Sequence, residues 1–123
     1  NSNWRNVMID RIYSFLGLAM KAGRLVSGEE ACEKAAKQGK AELVIIAQDA
    51  SPNTKKKFSD KCDFRDINTR IFGHKELIGR YIGKEERAVV AILDKGFAKR
   101  MVEFIDRKDS EFGGEMNGKI QGL

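Results

Sequence analysis

Histidine, proline and tryptophan each occur once in this chain, and cysteine only twice. Each scarcity excludes a class of function. One histidine, His74, cannot build a multi-histidine metal centre. At the expected start of a helix it reads as a solvated residue rather than a catalytic base. Cys32 and Cys62 fit no metal-ligand spacing and fall on apolar positions of expected helices. They read as two reduced, buried thiols, not as a disulfide or a nucleophile. No apolar run approaches the roughly 18 to 20 residues of a membrane span. The stretch NSNWRNVMIDRIYSF carries Asp10 and two arginines where the apolar core of a signal peptide would sit, so none is expected. Also missing are G-x-S-x-G, G-x-G-x-x-G and a phosphate loop: Gly83-Lys84-Glu85 lacks an earlier glycine at the required spacing. No catalytic constellation assembles, and the expectation is a non-enzyme without metal or cofactor. Asp49 and Asp94 each follow an apolar run, where α/β sheets often place sites; capping of a helix or turn accounts for both.

What is present is positive charge. Twenty-three Lys and Arg against 18 Asp and Glu give a formal +5 and a pI near 9.3. Such a balance favours a polyanionic partner. The segment from Arg107 contributes nothing to it, because Arg107, Lys108 and Lys119 cancel Asp109, Glu111 and Glu115. That segment is also Gly-rich and has no apolar period. It is expected to be a disordered tail over 107–123, following one compact domain over 1–106.

Within the domain, apolar period alternates between helix and strand. Ile9, Ile12, Phe15, Leu16, Ala19 and Met20 mark one helical face, with Asp10 as N-cap and Gly23 as terminator. RLV is a very short strand. Ser27-Gly28-Glu29-Glu30 reads as a capping box opening a helix that turns Ala31, Cys32, Ala35 and Ala36 inward. Glu30–Lys34 and Glu33–Lys37 are favourable i,i+4 pairs on its outer side. ELVIIA is a strand covered on both faces. Ser51 caps the next helix with Pro52 at its first position, and Thr54, Phe58 and Cys62 face inward. TRIFG is a third strand. HKELIGRYIG forms a short helix burying Leu77, Ile78 and Tyr81. RAVVAIL is a fourth strand, and Asp94 caps the last helix. Strands alternating with helices imply an α/β fold: a three-layer α/β/α sandwich with a small four-stranded mixed, mostly parallel sheet.

Loops in such a sandwich gather the starts of three helices and the loop before the last strand at one end. Free helix N–H groups and lysines there would suit phosphates. The candidate residues are Gly28, Glu29, Glu30, Lys34, Ser51, Lys55, Lys56, Lys75, Lys84 and Arg87. Taken alone, the run Lys55-Lys56-Lys57 reads as a solvated face.

Two strings add to this. FLGLAMKAGRLVSGEEACEKAAKQGKAELVIIAQDASPNTKKK and IFGHKELIGRYIGKEERAVVAI resemble the L-seven-Ae / L-thirty-e ribosomal protein superfamily, in its bacterial YlxQ-like branch. The resemblance spans roughly residues 10–105. It implies a cytoplasmic, monomeric RNA-binding protein, ribosome- or translation-associated, directed at kink-turn-like structured RNA. In family members the second helix opens Gly-x-Asn-Glu-x-x-Lys. Gly28 and Lys34 match, but Glu30 stands at the Asn position and Ala31 at the Glu position. Lys55 replaces an apolar residue that helps hold an extruded base, Lys75 matches a backbone-contacting lysine, and a mostly apolar loop is KEER here. The resemblance thus implies contacts moved from base edges toward phosphates. The alternative is a protein-interaction or structural α/β module that kept the fold and lost the RNA site.

Overall fold

A computed structural model describes the backbone of residues 2–121 and the side chains of residues 3–110. Nine elements follow one another: α1 (Ser2–Lys21), β1 (Leu25–Ser27), α2 (Glu29–Lys37), β2 (Leu43–Ile46), α3 (Pro52–Phe64), β3 (Asn68–Ile71), α4 (Lys75–Ile82), β4 (Val89–Ile92) and α5 (Lys95–Gln121). The expected alternation is present. So is the sandwich: α2 and α3 lie on one face of the sheet, and α1, α4 and α5 pack together on the other.

The sheet is mixed, in the order β1-β4-β2-β3. It is not mostly parallel. Only β2 and β3 pair in parallel; β4 pairs antiparallel with both β1 and β2. The two crossover helices α2 and α3 do make β1, β2 and β3 run the same way. The fourth strand reverses and inserts between β1 and β2, which breaks the parallel pairing that simple α/β alternation suggests.

Burial explains the strand compositions. Every residue of β2 and β4 is buried, since these strands are central and covered on both faces. The edges β1 and β3 are half-buried and carry polar residues. Phe58, Ile12, Leu16, Ile45, Ile78, Ile92 and Met101 are among the largest fully enclosed side chains. Cys32 and Cys62 are free and buried beneath α2 and α3. Burial pushes their thiols up to about 12 and about 11, so neither carries the thiolate that reactivity requires. Among the described residues no helix is long and apolar enough to cross a membrane.

Three local readings are corrected. First, α1 begins at Ser2, so Asp10 lies inside the helix and caps nothing. Second, Tyr81 is exposed, stacked on Tyr13, while Ile82 takes the buried position expected of it. Third, α5 runs to Gln121, through residues expected to be irregular. The side chains of residues 111–123 lie outside the described residues. Up to Lys108 the helix is tied to the domain: Lys108 Nζ sits 5.8 Å from the centre of the Phe72 ring.

Arg70 and Asp106 join β3 to α5 by a bidentate pair, with Nε to Oδ1 at 2.8 Å and Nη2 to Oδ2 at 2.9 Å. The Arg70 guanidinium holds the Asp106 carboxyl below its ordinary value. Two glycines of the LIGRYIG stretch have separate causes. Gly83 ends α4 in the left-handed conformation, φ 77°. Gly79 is needed for space: a Cβ there would lie 2.0 Å from the Glu85 carbonyl oxygen. The Gly83 cap brings Lys84 N to donate to Gly79 O at 2.8 Å, and the loop before β4 then passes close over Gly79.

Two outcomes test these contacts. Gly79→Ala should cost about 1–3 kcal/mol in urea unfolding, because backbone must move to admit the methyl group. A loss under about 0.5 kcal/mol would mean that the loop is not held there. The Arg70–Asp106 contribution should be complete above the ordinary Asp value of 3.8 and be lost as pH falls from there through the depressed one. The stability gap between wild type and Asp106→Asn should therefore be flat from neutral pH down to about 5 and close in stronger acid. A gap unchanged across that acid range would contradict the pairing.

Candidate nucleic-acid interface

The reversal of β4 creates the site. Strands β1, β2 and β3 end at one pole of the sheet, and α2, α3 and α4 begin there. Because β4 runs the other way, its entry loop arrives at the same pole. Asp49 lies at this pole and Asp94 at the opposite one, so the two acids do not meet. Each is a cap: Asp49 Oδ1 accepts from Lys75 N at 2.9 Å, and Asp94 Oδ2 accepts from Phe97 N at 2.9 Å.

The start of α2 differs from the expected capping box. Gly28 is the N-cap, with φ 94° and ψ 156°, a conformation essentially confined to glycine, and no side chain caps the helix. Its N–H donates to Val89 O at 2.9 Å, which joins α2 to β4. A Cβ on Gly28 would meet nothing within 4 Å, so the space above the helix start is open. Ser27 Oγ instead accepts from Arg87 Nε at 3.0 Å. Arg87 Nη1 also donates to Glu86 O at 3.1 Å, so its guanidinium is held at the pole. Glu30 is exposed and makes no return bond to the cap.

The start of α3 is as expected. Ser51 Oγ accepts from Thr54 N at 3.1 Å, beside Pro52. The Thr54 hydroxyl then donates to Glu29 Oε2 at 3.2 Å, which satisfies this buried polar side chain and links α3 to α2. At the start of α4, His74 N donates to the hydroxyl of Tyr13 at 2.9 Å, and the His74 ring touches Gln48 and Asp49. His74 is thus exposed but engaged. Burial, above all, raises the Tyr13 pKa. Tyr13 was not among the residues singled out from sequence. Its position four after Ile9 and three before Leu16 was the available signal.

These elements enclose a groove of about 480 Å³ that brings together Gly28, Glu29, Ser51, Lys75 and Arg87 of the candidate residues, with Glu86. Glu30 and Lys34 line a neighbouring groove of about 620 Å³ between α2 and α3, which shares Glu29. Lys55, Lys56 and Lys84 line neither.

The lysines of α3 divide by partner. Lys57 lies 3.0 Å from Glu33 and 3.5 Å from Glu29, and Lys61 lies 3.7 Å from Glu33. The hydrogen bond to Lys57 lowers the Glu33 pKa and raises that of Lys57. These two lysines staple α3 to α2. Lys56 pairs with Asp60 at 3.1 Å. Among the described residues, the side chains of Lys34, Lys55, Lys75 and Lys84 have no ion-pair partner. Acids stand between them: Glu30 and, in the β4 loop, Glu85 and Glu86 are exposed and also unpaired. Of the expected pairs on α2, Glu33–Lys37 forms at 3.8 Å, but Glu30–Lys34 does not form. The rim is therefore a mixed surface of free cations and free carboxylates rather than a uniformly basic one.

Comparison with known proteins agrees with this architecture. Residues 10–102 match the Ribosomal protein L7Ae/L30e/S12e/Gadd45 family. The RNA-binding protein YlxQ of Bacillus subtilis is 40% identical over 94 residues, 76% of this chain and 94% of that protein. The YlxQ protein of Enterococcus faecium is 43% identical over 94 residues, 76% of this chain and 89% of its own length. A solved protein of unknown function from Bacillus halodurans C superposes with a TM-score of 0.75 at 42% identity, covering 77% of this chain and 96% of its own. The chain belongs to the ribosomal protein L7Ae/L30e/S12e/Gadd45 family.

Proposed function

We propose that this chain is a non-catalytic RNA-binding protein that contacts the phosphates of structured RNA at the pole where α2, α3 and α4 begin. One observation carries the reading: three helix starts, one of them uncapped by any side chain, meet Lys75 and the fixed Arg87 around one groove, and the unpaired Lys34, Lys55 and Lys84 stand on the same helices and the β4 loop. Helix N-termini and lysines both favour phosphate oxygens. The YlxQ relatives, which are RNA-binding proteins by name, support the same class. The kink-turn is a secondary question here. With Glu30 and Ala31 in place of an Asn-Glu pair, the pole is suited to backbone and shape more than to purine edges. A translation-associated, cytoplasmic monomer is the setting this proposal carries with it. Glu30, Glu85 and Glu86 favour a second reading, a protein-interaction module, because free carboxylates at the rim repel phosphate.

Replacing Lys34, Lys55 and Lys75 together by Ala decides between them. Structured RNA binding should weaken, and the slope of log affinity against log salt should flatten by roughly two, about 0.7–0.9 for each lost phosphate contact. Thermal stability should hold, since no ion pair is removed. Changing Arg80 and Arg100, which are committed to Glu76 and Glu103, should leave both quantities nearly unaltered. Equal losses in the two variants would mean diffuse charge and no site. Wild-type protein that binds no structured RNA at low salt would hand the rim to a protein partner.

A further inference from the structure

We infer that the opposite pole of the sheet is a second RNA-contacting face, so that the protein bridges two RNA segments; this rests on the RNA-binding reading above. Leu25, Ile92 and Leu43 form one row across the sheet. Just beyond that row, Leu93 N donates to Arg24 O and Glu42 N donates to Ile92 O, each at 2.8 Å. The backbone thus places Arg24, the turn into α5 and the segment before β2 side by side. Lys21 closes α1 three residues before Arg24, Lys40 lies two residues before Glu42, and Lys95 and Lys99 stand one turn apart on α5. All five side chains are exposed, and none has an ion-pair partner among the described residues.

The acids nearest these cations are Glu42, Asp94 and Glu103, the last paired with Arg100, and on the β3 side Asp63 and Asp66 are exposed. Glu42 and Asp94 are half-buried, and Asp94 is occupied in capping α5. At the first pole, by contrast, Glu29, Glu30, Asp49, Glu85 and Glu86 stand among the basic side chains. On the β1 and α5 side of the second pole the five cations outnumber the acids Glu42, Asp94 and Glu103. The arrangement of the cations is locally unfavourable. The first turn of α5 has no acidic residue, so the Asp94 cap alone offsets Lys95 and the positive end of the helix dipole. Lys99 adds a like charge at i+4. A bound polyanion offsets both lysines. On the β3 side of this pole Phe64 is 82% exposed, with the Arg65 guanidinium 5.3 Å from its ring centre. A bare aromatic face beside a cation is what an unstacked base uses as a platform, which favours RNA over an acidic protein. The poles are separated by four-residue strands, about 13 Å plus their loops. That exceeds the screening length of roughly 8–10 Å at physiological salt, so the faces act independently.

The test is a capture assay. A structured RNA hairpin is immobilised, wild-type protein is loaded, and a second, labelled hairpin is passed over it. We expect retention of the second hairpin. Arg24→Gln, Lys40→Gln, Lys95→Gln and Lys99→Gln combined should bind the first hairpin within about twofold, yet capture at least about tenfold less of the second, with a salt slope for that step lower by about 0.7 per lost contact. Phe64→Ala alone should reduce second capture several-fold with little change in its salt slope. Circular dichroism confirms that each variant is folded. Wild-type protein that binds the first hairpin and retains no second, or a quadruple variant that captures as much as wild type, overturns the bridging proposal and leaves the RNA-binding reading standing. Polyglutamate that displaces the second hairpin as well as RNA of equal charge assigns the face to an acidic protein and also overturns it. Failure at the first hairpin sinks the RNA-binding reading itself.

Discussion

The insertion of β4, reversed, between β1 and β2 is the constraint on which the rest depends. It closes the sheet with two fully buried central strands and leaves short, polar edges. It also decides which loops can meet. With β4 parallel to its neighbours, its entry loop would lie at the far end from the helix starts. Reversed, it delivers residues 84–87 beside Gly28, Ser51 and Lys75. The Gly28 N–H to Val89 carbonyl bond and the Arg87 to Ser27 bond are direct consequences. So is the need for glycine at position 79, where the loop backbone passes too close to α4 for any side chain.

The second organising feature is how charge is spent. A run of three lysines looks uniform in sequence, but helical geometry points its members in different directions. Lys57 turns toward Glu29 and Glu33 and becomes structural. Lys56 pairs along the helix with Asp60 and stays on the outer face. Lys55 alone keeps no partner and is half-buried near the helix start. Exposed pairs such as these contribute little stability individually. Their effect is to remove lysines from availability. What remains for an external anion is a sparse set of cations at two poles.

Much of this was legible in the sequence, and the failures have physical causes. Apolar period located every strand, the inward residues Phe58, Cys62 and Ile78, and the caps at Ser51 and Asp94, because those features are local. Pairing is not local. Nothing in RAVVAIL states which neighbours it will have, so the antiparallel insertion was missed, although the pole it creates was anticipated. The Ser27 capping box failed because a tertiary partner, Arg87, took the hydroxyl that a helix amide would otherwise have used. Asp10 failed as a cap because the helix continued to Ser2 past any propensity signal. The expected tail after 106 likewise falls within α5, which no periodicity announces.

The central claim is that phosphate meets this protein where three helices begin. Backbone amide shifts in a ¹⁵N-labelled sample, followed as a structured RNA hairpin is added, test it most directly. The account predicts large shifts at the amides of residues 28–31, 52–55, 75–76 and 84–87, with the β3 edge strand and the outer face of α4 unmoved. Shifts spread evenly over the surface, or confined to the β3 edge, would contradict it.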